Sequence, residues 1–394
     1  LNPRMPPPMK EPELRKGRAK IPEPYFAQTP RGLEPVLLAE MEGLGLAGLR
    51  PVDGGVWFEG TPEDCYRSNL WLRTATRVLK EFARFDCPDE NALYRQAARL
   101  DWDRVMNVDQ TLAVKVRLGV SGFTHTHFLA QRIKDAVADS FRAATGKRPS
   151  VDTRNPDILI HAHLHQGMAV LSLDSSGQPL FKRGWRQAKG PAPLKENLAA
   201  GLVLLTGWKG ETPFYDLMTG AGTLPIEAAM IAGNRAPGLL REGFGFQGWP
   251  GYNEALWTRL KTEARSLARP IGVELFAQDL DPVQVEQAKS NAKAAGVEEA
   301  IRFSAGDFRQ FTPQTPGGLL LVNPPYGERL ERQPDIPGLY KELGDVLKQR
   351  CKGLQGWVFT LSGEPVKSIG LRPSKRVILY NGPLECRLLK FDLY

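Results

Sequence analysis

Asn323-Pro324-Pro325-Tyr326 combines residue types that could hold an amine for chemistry. The stretch follows the run Gly317 to Val322, which reads as a buried strand, and it opens into Gly327. Each proline fixes φ and donates no backbone N–H, so the turn is rigid and rich in acceptors. Asn323 offers a side-chain oxygen and Pro324 a carbonyl. Both could accept from one exocyclic amine while the Tyr326 ring offers a face to a base. An amine held by its two N–H bonds keeps its lone pair available for attack on an electrophilic methyl group. Adenine and guanine both carry such an amine, and the turn does not choose between them. A Pro-Pro turn beside a tyrosine also serves as plain punctuation, so the reading depends on the residues upstream.

Those residues supply three more strand ends. From Pro213 strands and helices alternate, which implies a doubly wound parallel sheet. Phe214 to Met218 reads as the first strand, Asp216 lies in it, and Thr219-Gly220-Ala221-Gly222-Thr223 is its tight loop before a helix over Leu224 to Ala232. Gly220 and Gly222 allow the backbone to approach a ligand, and the helix N-terminus favours an anionic group. Pro225 at the third-glycine position disfavours a nicotinamide fingerprint, and so does the long separation from Asp279. Asp279 ends the expected second strand, Pro270 to Gln278, where a carboxylate suits two ribose hydroxyls; Asp281 reads as the next helix cap. After the strand Ile301 to Ala305, Asp307 could accept from an adenine amino group with Phe308 beside the ring. Four successive strand ends thus carry a glycine turn, a ribose acid, an adenine acid and an amine-binding turn. One helix, Gly338 to Lys352, and three strands, Gly356 to Leu361, Arg376 to Tyr380 and Cys386 to Leu393, complete this half.

The rest of the chain divides into a basic, Pro-rich disordered tail over 1–24, a small α/β unit over 25–62, a second α/β domain over 63–175, a basic linker and lead-in helix over 176–208, and the doubly wound domain over 209–394. Thr61-Pro62-Glu63-Asp64 starts a helix expected to run through Leu79, and Gln166-Gly167 is a hairpin turn. Lys182, Arg183, Arg186 and Lys189 around Trp185 are either phosphate contacts that place a polynucleotide between the halves or a solvated linker. The loop Gly233 to Asn253 interleaves aromatics with arginine, which suits base stacking and equally suits packing over the sheet.

With 394 residues, a formal charge of +8 and pI near 9.3, the chain favours a polyanionic partner, nucleic acid ahead of a membrane. The 4 cysteines stand far apart with no C-x-x-C, which implies neither a disulfide framework nor a zinc knuckle and points to the reducing cytosol. No run approaches a membrane span. All 5 histidines precede the second half; His161, His163 and His165 share one strand face without a carboxylate or cysteine beside them, so no metal is expected. A catalytic half without histidine is a poor fit to common hydrolytic acid–base chemistry.

The series Asp216 to Thr223, Asp279, Asp307 and Asn323 to Tyr326 resembles that of class I S-adenosylmethionine-dependent amino-methyltransferases. With Thr29 to Glu34, Lys182 to Arg186, Arg235 to Leu239 and Asn323 to Leu330, nearly the whole chain after the tail is similar to the bacterial THUMP-domain methyltransferases of 23S rRNA guanine N2. The resemblance implies a ferredoxin-like unit over 25–62 and a THUMP domain over 63–175 that capture RNA, and a Rossmann-like sheet binding cofactor and base. It implies cofactor contacts at Asp216, Gly220, Gly222, Thr223, Asp279, Asp307 and Phe308, and catalytic roles for Asn323, Pro324 and Tyr326. A tRNA substrate, adenine N6 as target, or a non-catalytic RNA-binding assembly factor remain the alternatives. Some family members fuse a second methyltransferase domain; with its last strand at Tyr394 this chain is expected to carry one. The chain departs from the family at Leu217 and Thr219, usually proline and cysteine, and at Phe181, usually histidine.

Overall fold

The structure, a computed structural model, describes residues 22–187, 194–326, 335–363 and 365–394. Most of the expected tail, Lys189, and Gly327 to Leu330 lie outside the described residues. In the N-terminal half, β1 (Glu23–Gln28), α1 (Glu34–Gly43), β2 (Ala47–Val52), β3 (Gly55–Gly60), α2 (Pro62–Trp71) and β4 (Arg77–Asp86) precede α3 (Glu90–Ala98), β5 (Leu112–Leu118), α4 (Thr126–Thr145), β6 (Ile158–His165) and β7 (Met168–Asp174). Among the described residues their strands form one sheet in the order β2-β3-β1-β4-β7-β6-β5.

Local chemistry explains many boundaries. Thr61 and Asp64 form a reciprocal capping box that starts α2, and Gln166 with Gly167, both at positive φ, makes the two-residue turn between β6 and β7. The helix expected through Leu79 instead stops at Trp71. Residues from Arg77 onward pair with β1 on one side and β7 on the other, so β4 joins the ferredoxin-like and THUMP portions into a single sheet. Tertiary pairing overrides local preference there.

The second half contains α5 (Glu196–Leu205), β8 (Phe214–Asp216), α6 (Thr223–Ala232), α7 (Glu254–Ser266), β9 (Leu275–Asp279), α8 (Pro282–Ala294), β10 (Ile301–Ala305), β11 (Leu319–Val322), α9 (Ile336–Arg350), β12 (Gln355–Leu361), α10 (Pro365–Ser368), β13 (Lys375–Asn381) and β14 (Leu384–Asp392). The order is β10-β9-β8-β11-β12-β14-β13, parallel except for β14. The chain reverses its winding between β8 and β11, and ligands of such sheets bind outside the carboxyl ends at that switch point. The expected start of the second strand at Pro270 shifts to Leu275.

The halves are packed together. Leu33 is buried with Leu198 and Leu202, and any Cβ on Gly201 would lie 2.6 Å from Leu33 Cδ1. The loop 233–253 closes a second contact: Phe246 stacks on Tyr66 of α2 at 4.2 Å and meets Trp257 edge-on. Its buried aromatics are therefore core between the halves, and the base-stacking alternative does not describe them.

Candidate active site

Tight backbone geometry builds the floor of the site at the β8 end. Gly220 and Gly222 have φ of 52° and 83°, where a Cβ is strained. A side chain at Gly222 would also lie 2.9 Å from Ala288 Cβ, so this glycine permits α8 to pack against the loop. Space over Gly220 is open, the nearest atom to a Cβ being Gln284 Oε1 at 4.0 Å. The Gly220 N–H donates to Asp279 Oδ2 at 2.8 Å, and the Asp281 N–H donates to Oδ1 at 3.1 Å. Burial pushes the Asp279 carboxyl up while these N–H groups hold it down.

Asp216 is fully buried at the end of β8. Its Oδ1 accepts from the Met218 N–H at 3.2 Å, and its Oδ2 has no hydrogen-bond partner among the described residues. Burial pushes its carboxyl up to about 8, and the nearby Asp279 charge adds to the shift. The Thr219 hydroxyl lies close enough to Asp216 to hold its carboxyl down. At the end of β11, Asn323 Oδ1, like Asp216 Oδ2, is buried and unpaired among the described residues. Such atoms are costly unless something donates to them. Two such oxygens at two adjacent strand ends, Asp216 Oδ2 and Asn323 Oδ1, beside an open glycine turn, fit a ligand that brings donors of its own.

The turn after β11 places Pro324 in the interior and leaves Tyr326 half-buried. The Tyr326 hydroxyl accepts from Asn381 Nδ2 at 3.1 Å, and its ring meets Phe359 edge-on at 6.2 Å. Asn381, at the end of β13, was not singled out in the sequence; only three-dimensional pairing brings it to the turn. At the β10 end Asp307 accepts from the Arg309 N–H and pairs with its guanidinium at 3.0 Å, while Arg309 reaches Glu342 at 2.6 Å. Phe308 is buried among Phe276, Phe311 and Tyr215. Here the expected adenine acid is engaged by a cation, and its neighbouring ring belongs to the core.

Three domain models match the chain: the RlmL ferredoxin-like domain over 24–79, the THUMP domain over 87–174, and the RMKL-like methyltransferase domain over 183–390. A Synechocystis chain named as an RNA methyltransferase is 40% identical over 94% of this chain and 97% of its own length. The chain belongs to this family. The ribosomal RNA large subunit methyltransferases K/L of Allochromatium vinosum and Methylococcus capsulatus are each 41% identical over 94% of the chain. The chain spans about half the length of these curated relatives, 51% in both. Among solved structures, a methyltransferase complexed with SAH has a TM-score of 0.86 at 31% identity, covering 95% of this chain and 99% of that one. A Listeria monocytogenes chain named as an N6-adenine-specific DNA methylase gives 0.85 at 30%, covering 95% and 97%.

Within the family fold, the basic strap departs from its expected role. Arg183 is 1% exposed and pairs with Glu227 of α6 at 3.3 Å, while donating to the carbonyls of Leu180 and Arg73. Arg186 pairs with Glu196 at 2.8 Å and donates to Thr223 Oγ1 at 3.0 Å. Neither guanidinium is a free phosphate contact; of the three described cations Lys182, Arg183 and Arg186, Lys182 is the exposed one. Trp185 is buried, so this segment is a packed strap and not a solvated linker. Arg241 holds it by donating to four carbonyls, those of Ser176, Gln178, Pro179 and Lys182.

Among the described residues no group of histidine, cysteine and acids has metal-binding geometry. His161 instead meets Asp174 at 3.1 Å, and burial pushes His163 down to about 4. No described helix is long and apolar enough to cross a membrane.

Proposed function

We propose that the chain uses S-adenosylmethionine to methylate the exocyclic N2 amine of a guanosine in 23S rRNA. The large-subunit names of two relatives support the RNA class, and the SAH-bound structure supports the cofactor. The observation that carries the chemistry is the buried Asn323 Oδ1 without a partner among the described residues, fixed at a rigid strand-end turn. Bound S-adenosylmethionine supplies a methyl group made electrophilic by its sulfonium. Asp216, Gly220, Gly222 and Asp279 at the β8 and β9 ends, with Thr223 at the start of α6, would hold that cofactor. Asn323 Oδ1 and the Pro324 carbonyl would accept the two N–H bonds of the target amine and aim its lone pair at the methyl carbon, so that the N–C bond forms as the S–C bond breaks, S-adenosylhomocysteine leaves and the amine's surplus proton passes to water. Tyr326, anchored by Asn381, borders the base.

The target nucleotide is unpaired or flipped out to reach the turn. Contacts from the ferredoxin-like and THUMP portions help meet that cost, and the cytosol supplies the substrate. The name of the Listeria chain favours one second reading, methylation of adenine N6, because the same turn accepts either amine. Methyl transfer to 23S rRNA and to tRNA lacking the modification, followed by nucleoside mass spectrometry, tests the reading. N2-methylguanosine in 23S rRNA is expected. N6-methyladenosine would move the base assignment, and label confined to tRNA would move the substrate.

A further inference from the structure

The glycine loop is tied down at its middle and at its helix end by residues outside it. Asn291, fully buried on α8, donates through Nδ2 to the Ala221 carbonyl at 2.9 Å, and its Oδ1 accepts from the Gln187 N–H at 2.9 Å. One side chain therefore bridges the strap to the middle of the loop. Two residues further along the loop, Thr223 Oγ1 accepts from Arg186, whose guanidinium is fixed by Glu196 and by the Leu194 carbonyl at 3.2 Å. Adjacent strap residues thus hold Ala221 and Thr223, on either side of Gly222, at the point where positive φ gives the backbone most freedom to depart from one conformation. Asn291 shares its helix face with Val285, Ala288 and Ala292. A polar residue on an apolar helix face is the sequence signal that could have singled it out.

We propose that Arg186 and Asn291 are positioning residues for cofactor binding: they fix the glycine loop in the conformation that receives the cofactor, so the basic strap serves the cofactor site and not the RNA. This rests on the cofactor half of the proposed function and is independent of which base or RNA is methylated. Geometry separates it from a simple packing role. Asn291→Asp keeps the size of the side chain but sets an acceptor against the Ala221 carbonyl. Asn291→Ser loses volume and both bonds without adding that repulsion.

The test is calorimetric titration of the full chain with S-adenosylhomocysteine, alongside RNA-binding measurements and thermal unfolding. Asn291→Asp is expected to weaken cofactor binding by about tenfold or more, and Asn291→Ser by less, with RNA affinity within twofold of the parent. If Asn291→Asp fails to fold, Arg186→Met and Asn291→Ser decide: each should raise the cofactor Kd severalfold in a folded protein. An unchanged cofactor Kd, the reverse order of Ser and Asp, or a parallel loss of RNA affinity would overturn the proposal. Because the titration uses no methyl acceptor, a wrong base or RNA assignment leaves its outcome untouched.

Discussion

Glu227 and Asp216 are both fully buried carboxylates in the methyltransferase half, and their surroundings are opposite. Burial pushes both up, but at Glu227 the Arg183 and Arg73 guanidiniums oppose the shift, whereas at Asp216 the neighbouring charge is another carboxylate, Asp279. The first belongs to a network holding α6 against the strap and the N-terminal half. Among the described residues each keeps one buried oxygen without a hydrogen-bond partner. Glu227 Oε2 sits beside two guanidiniums, whereas Asp216 Oδ2 lies at a strand end beside another carboxylate, with the unpaired Asn323 Oδ1 at the adjacent strand end. Folding alone gains nothing from burying a carboxyl with no cation to offset it. The contrast separates buried polarity that fastens domains together from buried polarity left for a ligand.

The largest effect expected of that contrast is on the fastening side. Arg183→Met leaves Glu227 without its hydrogen-bonded cation, and removing one partner of a buried pair costs about 3–5 kcal/mol. Denaturant unfolding should show this loss; a cost below about 1 kcal/mol would break the distinction from the scaffold side. On the ligand side, Asn323→Ala removes an acceptor that no described group uses, so stability should change little. Turnover should fall by roughly 10²–10³-fold, the scale for deleting one preorganised group at a reacting centre, while cofactor binding persists. Near-normal turnover would sink the assignment of Asn323.

These two residues also show what the sequence made legible. Asn323 could be recognised because prolines and glycines restrict the backbone locally, and because a strand end followed by a rigid turn has the same meaning wherever the strand packs. The hairpin at Gln166-Gly167 and the glycine loop were readable for the same reason. Arg183 was not, because a run of cations looks alike whether it faces phosphate or meets Glu227 and Glu196 brought in from other helices. Phe244 and Phe246 share that ambiguity, resolved by Tyr66 and Trp257 in space. The start of β4 read as a continuing helix since its partners, β1 and β7, lie far away along the chain.

A pH series sharpens the comparison at Asp216. Its folded pKa of about 8 exceeds the ordinary carboxyl value, so the native state binds a proton that the unfolded chain releases near pH ~4. The stabilisation from that proton is fully present below the unfolded value and is lost as pH rises toward 8. Asp216→Asn removes this slope. The cofactor-free variant should gain thermal stability over the parent at pH 8 more than at pH 5. Its affinity for S-adenosylhomocysteine should fall about tenfold above pH 8, where the parent carboxyl is ionised, the order of one charge-assisted hydrogen bond. Equal slopes for both proteins would mean that Asp216 is solvated and not waiting for a ligand.

The smallest effect belongs to Lys182, the strap residue that escapes both categories. It is exposed, and among the described residues its ammonium donates only to Gln178 Oε1, at 3.0 Å. With Arg183 and Arg186 held inside, the strap can offer RNA at most this contact from its described cations. Lys182→Glu should therefore weaken RNA binding modestly and flatten the dependence of log affinity on log salt by about 0.7–0.9, the value for a single phosphate contact. Cofactor affinity should not change, in contrast to Arg186→Met four residues later. A slope change of two or more contacts would restore the strap as a polynucleotide track. An unchanged slope would take Lys182 off the RNA path and leave its described arginines as fasteners alone.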